Sequence, residues 1–462
     1  MGSKKIGVIG AGIAGLTAGL LLTKKGFNVE IFEKEKIIGG RALTINLSTL
    51  SISDYRKLLS DFKMFIPFSN PDLEDIFSKK LFDGYKFDLG YHAIGGGDMS
   101  NINLILKKFN EHVDFLESYV GFIREDGYDY PFLSKLDKLK ILPNIMRLLL
   151  VREKTLQKMD SIPITETIER YGHGKMKLIL EVFSRSITTV NDLSRISTGE
   201  MIRAQRNLYR GSKPVGYPIN GLIAIHDKIA DLIGKQGGKI HLDSTVENIV
   251  IEDNKVKGIT VNGVFHPYDI VVFTLPPQNL SSFASENIFP DEYVKTLKSL
   301  TATGSLCAYY ALDKMDSNLV GKTFHFIERD IGVEGNDAVG MIDFMTASPK
   351  SKLSPRDYYL IQSYIICTPE EAKDKKILEK LKTLLDENLA RLLPDYENHL
   401  KWAIYPAIWH LDGVAKTIDN IKPSIFTPIE NLYLIGDGVK ATGIGFNCAV
   451  NSAKLLYNSL IQ

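Results

Sequence analysis

The chain has 462 residues, 44% of them hydrophobic and 24% charged, the balance of a globular protein with a large core rather than a disordered chain or a fibre. Lys and Arg total 56 against 55 Asp and Glu, a net charge of +1, which lacks the positive excess of a duplex binder, so no nucleic-acid partner is predicted. The three cysteines, Cys307, Cys367 and Cys448, lie far apart with no CxxC pair, which argues against a metal cluster or disulfide framework and for a reducing, cytoplasmic setting.

Residues 6–23 carry no charge, yet Gly7, Gly10, Gly12, Gly15 and Gly19 interrupt them. They read as a buried strand entering a helix, not as a membrane span or secretory signal. The strand, 6–9, breaks at Gly10-Ala11-Gly12-Ile13-Ala14-Gly15, and a helix follows over 13–25. Gly26 ends it, and a second strand over 28–32 leads to Glu33. This is a βαβ unit of about 30 residues, the context in which a Gly-rich turn has physical meaning.

A long stretch over 43–80 follows, with helical spacing around 55–64, then a strand at Phe87-Asp88-Leu89-Gly90-Tyr91-His92. Residues 100–210 are mostly helical in pattern. Within them, 133–152 mixes apolar residues with Lys135, Lys138, Lys140, Arg147 and Arg152, a basic amphipathic stretch of the kind that lies on membranes. Pro143 is expected to split it into two helices. Tyr217-Pro218-Ile219-Asn220-Gly221 is a turn, and strands are expected over 239–242, 246–252 and 255–261, with Asp253-Asn254 as a hairpin corner. A buried strand over 269–274 stops at Pro276. Longer mixed strands over 305–366 and a helix over 369–393 come next. The chain closes with a strand over 432–435, the turn Gly436-Asp437-Gly438 and a helix over 445–459. Nucleotide-type segments at both ends and in the middle predict one discontinuous domain from 1–99, 215–276 and 425–462. A second domain, 100–214 and 277–424, is inserted between them.

The glycines of the first turn allow backbone N–H groups to approach a pyrophosphate, and the helix start adds partial positive charge. Glu33 suits the hydroxyls of an adenosine ribose. Gly39-Gly40-Arg41 repeats the device, with an arginine to neutralise phosphate. Together with the strand at 87–92, the turn at 217–221, Ser244-Thr245-Val246 and the C-terminal Gly436-Asp437 and Gly443-Ile444-Gly445, this set resembles the FAD-dependent amine oxidase, phytoene desaturase and protoporphyrinogen oxidase superfamily. Asn220 stands where that pattern has glycine, and asparagine tolerates positive φ better than most residues.

The resemblance implies an α/β fold: a discontinuous Rossmann-type FAD-binding domain with an inserted mixed α+β substrate domain. It implies cofactor contacts from Gly10, Ala11, Gly12, Ile13, Ala14, Gly15, Glu33, Lys34, Gly39, Gly40, Arg41, Val246, Gly436, Asp437, Gly443 and Ile444. The cysteine that binds flavin covalently in monoamine oxidases is missing, since Cys448 falls inside the last helix, so FAD is expected to be noncovalent. The implied reaction is hydride transfer between an apolar, isoprenoid-like substrate and flavin N5, in a desaturase, saturase or isomerase, with oxygen or a quinone as electron acceptor. Rival readings are an amine oxidase, a protoporphyrinogen oxidase and a noncatalytic prenyl-binding protein like the Rab GDP-dissociation inhibitors.

His92 and His410 are the candidate catalytic side chains, each weighed against a structural role. Trp402, Tyr405 and Trp409 are placed either near the flavin or in the core. Of Tyr309 and Tyr310, at most one should face a cavity. No histidine pair has ligand spacing, so no metal is predicted. Peripheral membrane contact is expected from 133–152.

Overall fold

The computed structural model describes residues 4–173, 175–206, 208 and 213–461. A five-stranded parallel sheet is built from β1 (Lys5–Ile9), β2 (Asn28–Phe32), β3 (Lys239–His241), β4 (Ile270–Phe273) and β5 (Leu432–Leu434), in the order β3-β2-β1-β4-β5. It thus draws strands from both ends and the middle of the chain. Strands β1 and β4 are apolar runs buried on both faces, as a parallel sheet covered on two sides requires.

Helix α1 (Ile13–Lys24) is buried at every position but the last because it lies against β2, the helix Ile223–Lys235 and the C-terminal helix α2 (Gly445–Ile461). An apolar surface all round suits only such a position. Asp253 and Asn254 both take positive φ, +50° and +59°, at the expected hairpin corner between the strands Val246–Glu252 and Lys255–Val261.

The second layer is an eight-stranded sheet. Its order is Met64–Asn70, Leu400–Ile408, Gly304–Leu312, Tyr359–Cys367, Ala338–Asp343, Thr323–Glu328, Val120–Arg124, Gly127–Asp129. Its strands run antiparallel except where Thr323–Glu328 meets Val120–Arg124. The central strand Gly304–Leu312 is buried at every position.

Two segments depart from the sequence reading. The helical pattern near 55–64 is the helix Ile52–Asp61, capped by the Ser51 hydroxyl on Asp54 N at 3.1 Å. After Lys63, at φ +61°, the chain becomes the strand Met64–Asn70. That strand lies within the first expected piece of the nucleotide-binding domain, yet it pairs with Leu400–Ile408 in the large sheet. Pro67, which has no N–H to donate, is tolerated because the strand is at the edge.

Pro143 does not divide its segment, which is one helix, Lys135–Leu149. The ring removes one helical hydrogen bond, and the turns on either side continue. Among the described residues no helix is long and apolar enough to cross a membrane.

Candidate functional site

A cavity of about 570 Å³ lies between the two layers and is lined by both. Its first end is made by the turn after β1. Gly10 has φ +102°, and a Cβ there would sit 2.6 Å from Thr274 Oγ1. A Cβ on Gly15 would stand 2.0 Å from the Gly10 carbonyl oxygen, so this glycine lets α1 approach the strand. At Gly12 the nearest protein atom to an added Cβ is 3.9 Å away. The protein does not fill that space, which is cavity. Gly12 also starts α1 with no side-chain cap, leaving the first helical N–H groups to a ligand. This cradle fits a pyrophosphate.

Gly10, Gly12, Ile13 and Ala14 line the cavity, while Ala11 and Gly15 stand behind it. Ala11 N donates to Glu33 Oε2 at 2.8 Å, and its carbonyl accepts from Gly39 N at 3.0 Å. One residue therefore ties the two Gly-rich segments and the acid together. Glu33 and Lys34 line the cavity. Burial raises the Glu33 pKa, against the N–H groups of Ala11 and Glu35. Val246 lines the same end, beside Ser244 and Thr245.

Gly39, Gly40 and Arg41 form the next stretch of wall, facing Gly436, Asp437 and Ile444. Arg41 Nη2 donates to Asp437 Oδ1 at 2.5 Å, and Gly413 N donates to Oδ2 at 2.8 Å. Burial alone would push the Asp437 carboxyl up, but Arg41 and the Gly413 N–H hold it down to about 2. The pair joins residues 396 positions apart in sequence. Ile444 stands at the start of α2, and Gly443 lies behind the wall with its N–H on the Arg203 carbonyl at 3.2 Å.

His92 and His410 both line the cavity. Burial holds each at a pKa of about 4, with the Arg41 charge adding to it, so both are neutral near pH 7. His92 Nδ1 lies 3.6 Å from Asp88 Oδ2. That contact is between a neutral imidazole and a carboxyl that burial lifts to about 7. Asp88 accepts from Thr44 Oγ1 at 2.5 Å and from Tyr217 Oη at 2.8 Å, which fixes the strand segment Phe87–Asp88 to the turn at 217–221. Asn220 in that turn has φ +69°.

None of the aromatic candidates lines the cavity, and Trp402 and Tyr405 are core residues. Trp402 is fully buried among Phe82, Tyr85 and Phe87, and Tyr405 donates to Asp386 at 2.7 Å. Trp409 packs on Phe65. Neither Tyr309 nor Tyr310 reaches the cavity: Tyr309 Oη donates to the Asp88 carbonyl at 2.9 Å and Tyr310 Oη to Asp386 at 2.8 Å. None of the three cysteines lines the cavity. No cluster of three metal-ligating side chains occurs among the described residues.

The far end of the cavity was not legible in the sequence. It is a chamber walled by Tyr91, Val120, Phe183, Ile187 and Met341, with Ser186, His325 and Tyr364 among them. Its side chains come from four strands and one helix far apart in the chain, with Tyr91 from the loop after Phe87–Asp88. The one available signal was a polar His325 inside the apolar strand Thr323–Glu328.

A family model described as flavin containing amine oxidoreductase matches residues 76–455, and an NAD(P)-binding Rossmann-like domain model matches 8–78. A 1-hydroxycarotenoid 3,4-desaturase of Flavobacterium sp. is 26% identical over 67% of this chain. That match spans 64% of the desaturase's own length. An uncharacterized protein of Methanocaldococcus jannaschii is 23% identical over 95% of this chain and 94% of its own. Among solved structures, an oxidoreductase of Methanosarcina mazei has the same fold, with TM-score 0.73 and 20% identity over 98% of this chain and all of that one.

Proposed function

We propose a function from one premise: this chain belongs to the flavin containing amine oxidoreductase family. It is a flavin-dependent oxidoreductase whose cofactor is FAD. The residues for holding FAD are Gly10, Gly12, Ile13 and Ala14 at the pyrophosphate, Glu33 at the ribose, and Val246 at the adenine. Gly39, Gly40, Arg41, Gly436 and Asp437 take the second phosphate and the ribityl chain, and Ile444 N–H at the start of α2 meets the flavin ring. Bound there, the flavin supplies a hydride acceptor. Binding is noncovalent, in keeping with three cysteines that are all outside the cavity wall.

The substrate is apolar and isoprenoid-like, and the reaction is a desaturation or a related hydride transfer, with oxygen or a quinone taking the electrons. The observation that carries this reading is the lining of the chamber beyond Ile444. The carboxylates on the cavity wall, Glu33, Asp61, Asp412 and Asp437, are held by Ala11 N–H, Lys34, Lys416 and Arg41 respectively. None is left to receive an ammonium. Tyr91 and Tyr364 pack against each other with ring planes tilted by 35° and centroids 4.4 Å apart, which leaves no slot between them for an amine. His92 and His410 stay neutral and shape the wall beside Arg41 without adding charge.

Such a substrate resides in membranes, and the helix Lys135–Leu149 suits contact with one. Leu136, Leu139, Leu142 and Met146 are exposed along it, with Leu150 just after. Lys138 Nζ lies 4.5 Å from the centre of the Tyr119 ring, and the next residue, Val120, lines the chamber. The basic helix therefore sits beside the chamber wall.

Anaerobic mixing of the flavin-loaded enzyme with polyene hydrocarbons and, separately, with primary amines tests the reading. Bleaching of the flavin by a hydrocarbon is expected. Bleaching by amines alone would replace it with the amine-oxidase reading.

A further inference from the structure

The chamber is apolar but not uniformly so, and the arrangement of its polar groups follows from sheet register. His325 pairs with Met341, and Met341 pairs with Tyr364 on the next strand. Directly paired residues point to the same face. The two polar side chains therefore stand on one face of the large sheet with Met341 between them, roughly 10 Å apart at about 4.8 Å per strand. The helix Lys175–Thr188 packs over this row and brings Ser186 down to it. Ser186 Oγ lies 3.1 Å from His325 Nδ1 and donates to the Val182 carbonyl at 2.9 Å.

Each member keeps hydrogen-bonding capacity for a guest. With its one hydrogen on Val182, Ser186 accepts from His325 and has a lone pair to spare. Tyr364 is 4% exposed, and Ser186 is the side chain within hydrogen-bonding reach of its hydroxyl. Burial raises its pKa, and Ser186 is the neighbour acting the other way. His325 is 3% exposed. Burial brings it to about 3, against the pull of the Gly340 carbonyl, so the imidazole is neutral.

The helix carrying Ser186 ends at Thr189, a β-branched residue at φ +55°, where glycine is the usual choice. Its hydroxyl donates to Thr303 Oγ1 at 2.9 Å. Strain of this kind persists where surrounding structure holds it, often at ligand sites. Here it fixes the end of the helix over the chamber.

We propose that Ser186, His325 and Tyr364 form a subsite for one uncharged oxygen, a hydroxyl or carbonyl, at the end of an otherwise apolar substrate. The inference rests on the apolar-substrate reading above and narrows it from hydrocarbon to mono-oxygenated chain. A hydrocarbon would leave the spare hydrogen-bonding capacity of these groups unused, whereas an oxygen at the end of the chain would satisfy it. A carboxylate would find no cation, because the lysines and arginine on the described wall, Lys34, Lys63 and Arg41, stand with the phosphate-binding elements or beside His410.

Isothermal titration calorimetry of the purified flavin-loaded protein tests this with three probes of one skeleton: farnesene, farnesol and farnesoate. Farnesol should bind about tenfold more tightly than farnesene, and farnesoate more weakly than farnesol. Tyr364→Phe keeps the ring against Tyr91, and Ser186→Ala is a small change in the helix. Both should erase most of the farnesol advantage while leaving farnesene affinity in place. Equal affinity for farnesene and farnesol in the unaltered protein would overturn the subsite but leave the apolar-substrate reading standing. An advantage that survives both substitutions, or tightest binding of farnesoate, would overturn the subsite as well. Failure of all three probes to bind would overturn both readings.

Discussion

At one end of the cavity the wall is backbone and charge: glycine turns, two helix starts and the Arg41–Asp437 pair. At the other it is side chains on a sheet, with His325, Met341 and Tyr364 brought together by strand pairing. The first end recognises a ligand through groups that every residue carries, so its sequence requirement is the absence of side chains at fixed spacing. The second recognises through particular side chains whose neighbours are set by long-range register. A nucleotide end built this way suits one cofactor, whereas the chamber can change its guest by single substitutions.

Acid should weaken both ends together, and this is the largest effect expected. His92, His410, His226 and His325 have pKa values lowered to between about 3 and 4. The unfolded chain therefore binds more protons below about pH 6.5, and stability falls as pH drops from there toward 4. Each histidine contributes roughly 2 kcal/mol of loss by pH 5. Asp88 and Asp343, raised to about 7 and about 6, act in the opposite sense, since their folded forms hold protons the unfolded chain releases. Four groups against two leave a net loss, visible as a lower midpoint in denaturant melts at pH 5 than at pH 7.5. Unchanged midpoints would mean that the histidines are not buried neutral.

Asp437→Ala separates the two ends. It leaves Arg41 beside the cavity without its partner, a loss of about 3 kcal/mol for a buried pair broken on one side. The variant should purify with little flavin while still binding farnesene. Full flavin occupancy would remove Asp437 from the cofactor site. Glu33→Ala removes the acceptor of the Ala11 N–H and the proposed ribose contact. It should weaken FAD retention by roughly tenfold, read by equilibrium dialysis, and unchanged affinity would clear Glu33 of that role. The smallest effect concerns the chamber's surroundings. Replacing both Leu136 and Leu139 with serine should reduce cosedimentation with anionic vesicles, in proportion to the apolar surface lost. Thermal stability should barely change, because both residues are exposed.

The same contrast explains what the sequence revealed. Gly10, Gly12 and Gly15 announce their turn because backbone conformation is local, and so do Asn220 and the Asp253-Asn254 corner; Gly10, Asn220, Asp253 and Asn254 take positive φ. Glu33 and Arg41 follow at fixed offsets from those turns. Asp437 was legible as part of a motif, but its pairing with Arg41 was not. Met64–Asn70 was misplaced because its helix-like spacing from 55 onward ends at a one-residue turn, and its strand partners lie more than 330 positions later. For Trp402 and Tyr405 the sequence left a place near the flavin and a place in the core both open; their strand is buried on both faces, so each packs into the core on its own side. Of Ser186, His325 and Tyr364 only His325 leaves a trace in one dimension, as a polar residue in an apolar strand, since their adjacency exists only in the register of three strands and the pose of one helix.

The most direct test of the central claim is the absorption spectrum of the purified protein, taken before and after heat precipitation. The account predicts flavin bands in the native protein, with all of the chromophore released to the supernatant as FAD. A colourless protein that also takes up no added FAD would contradict it.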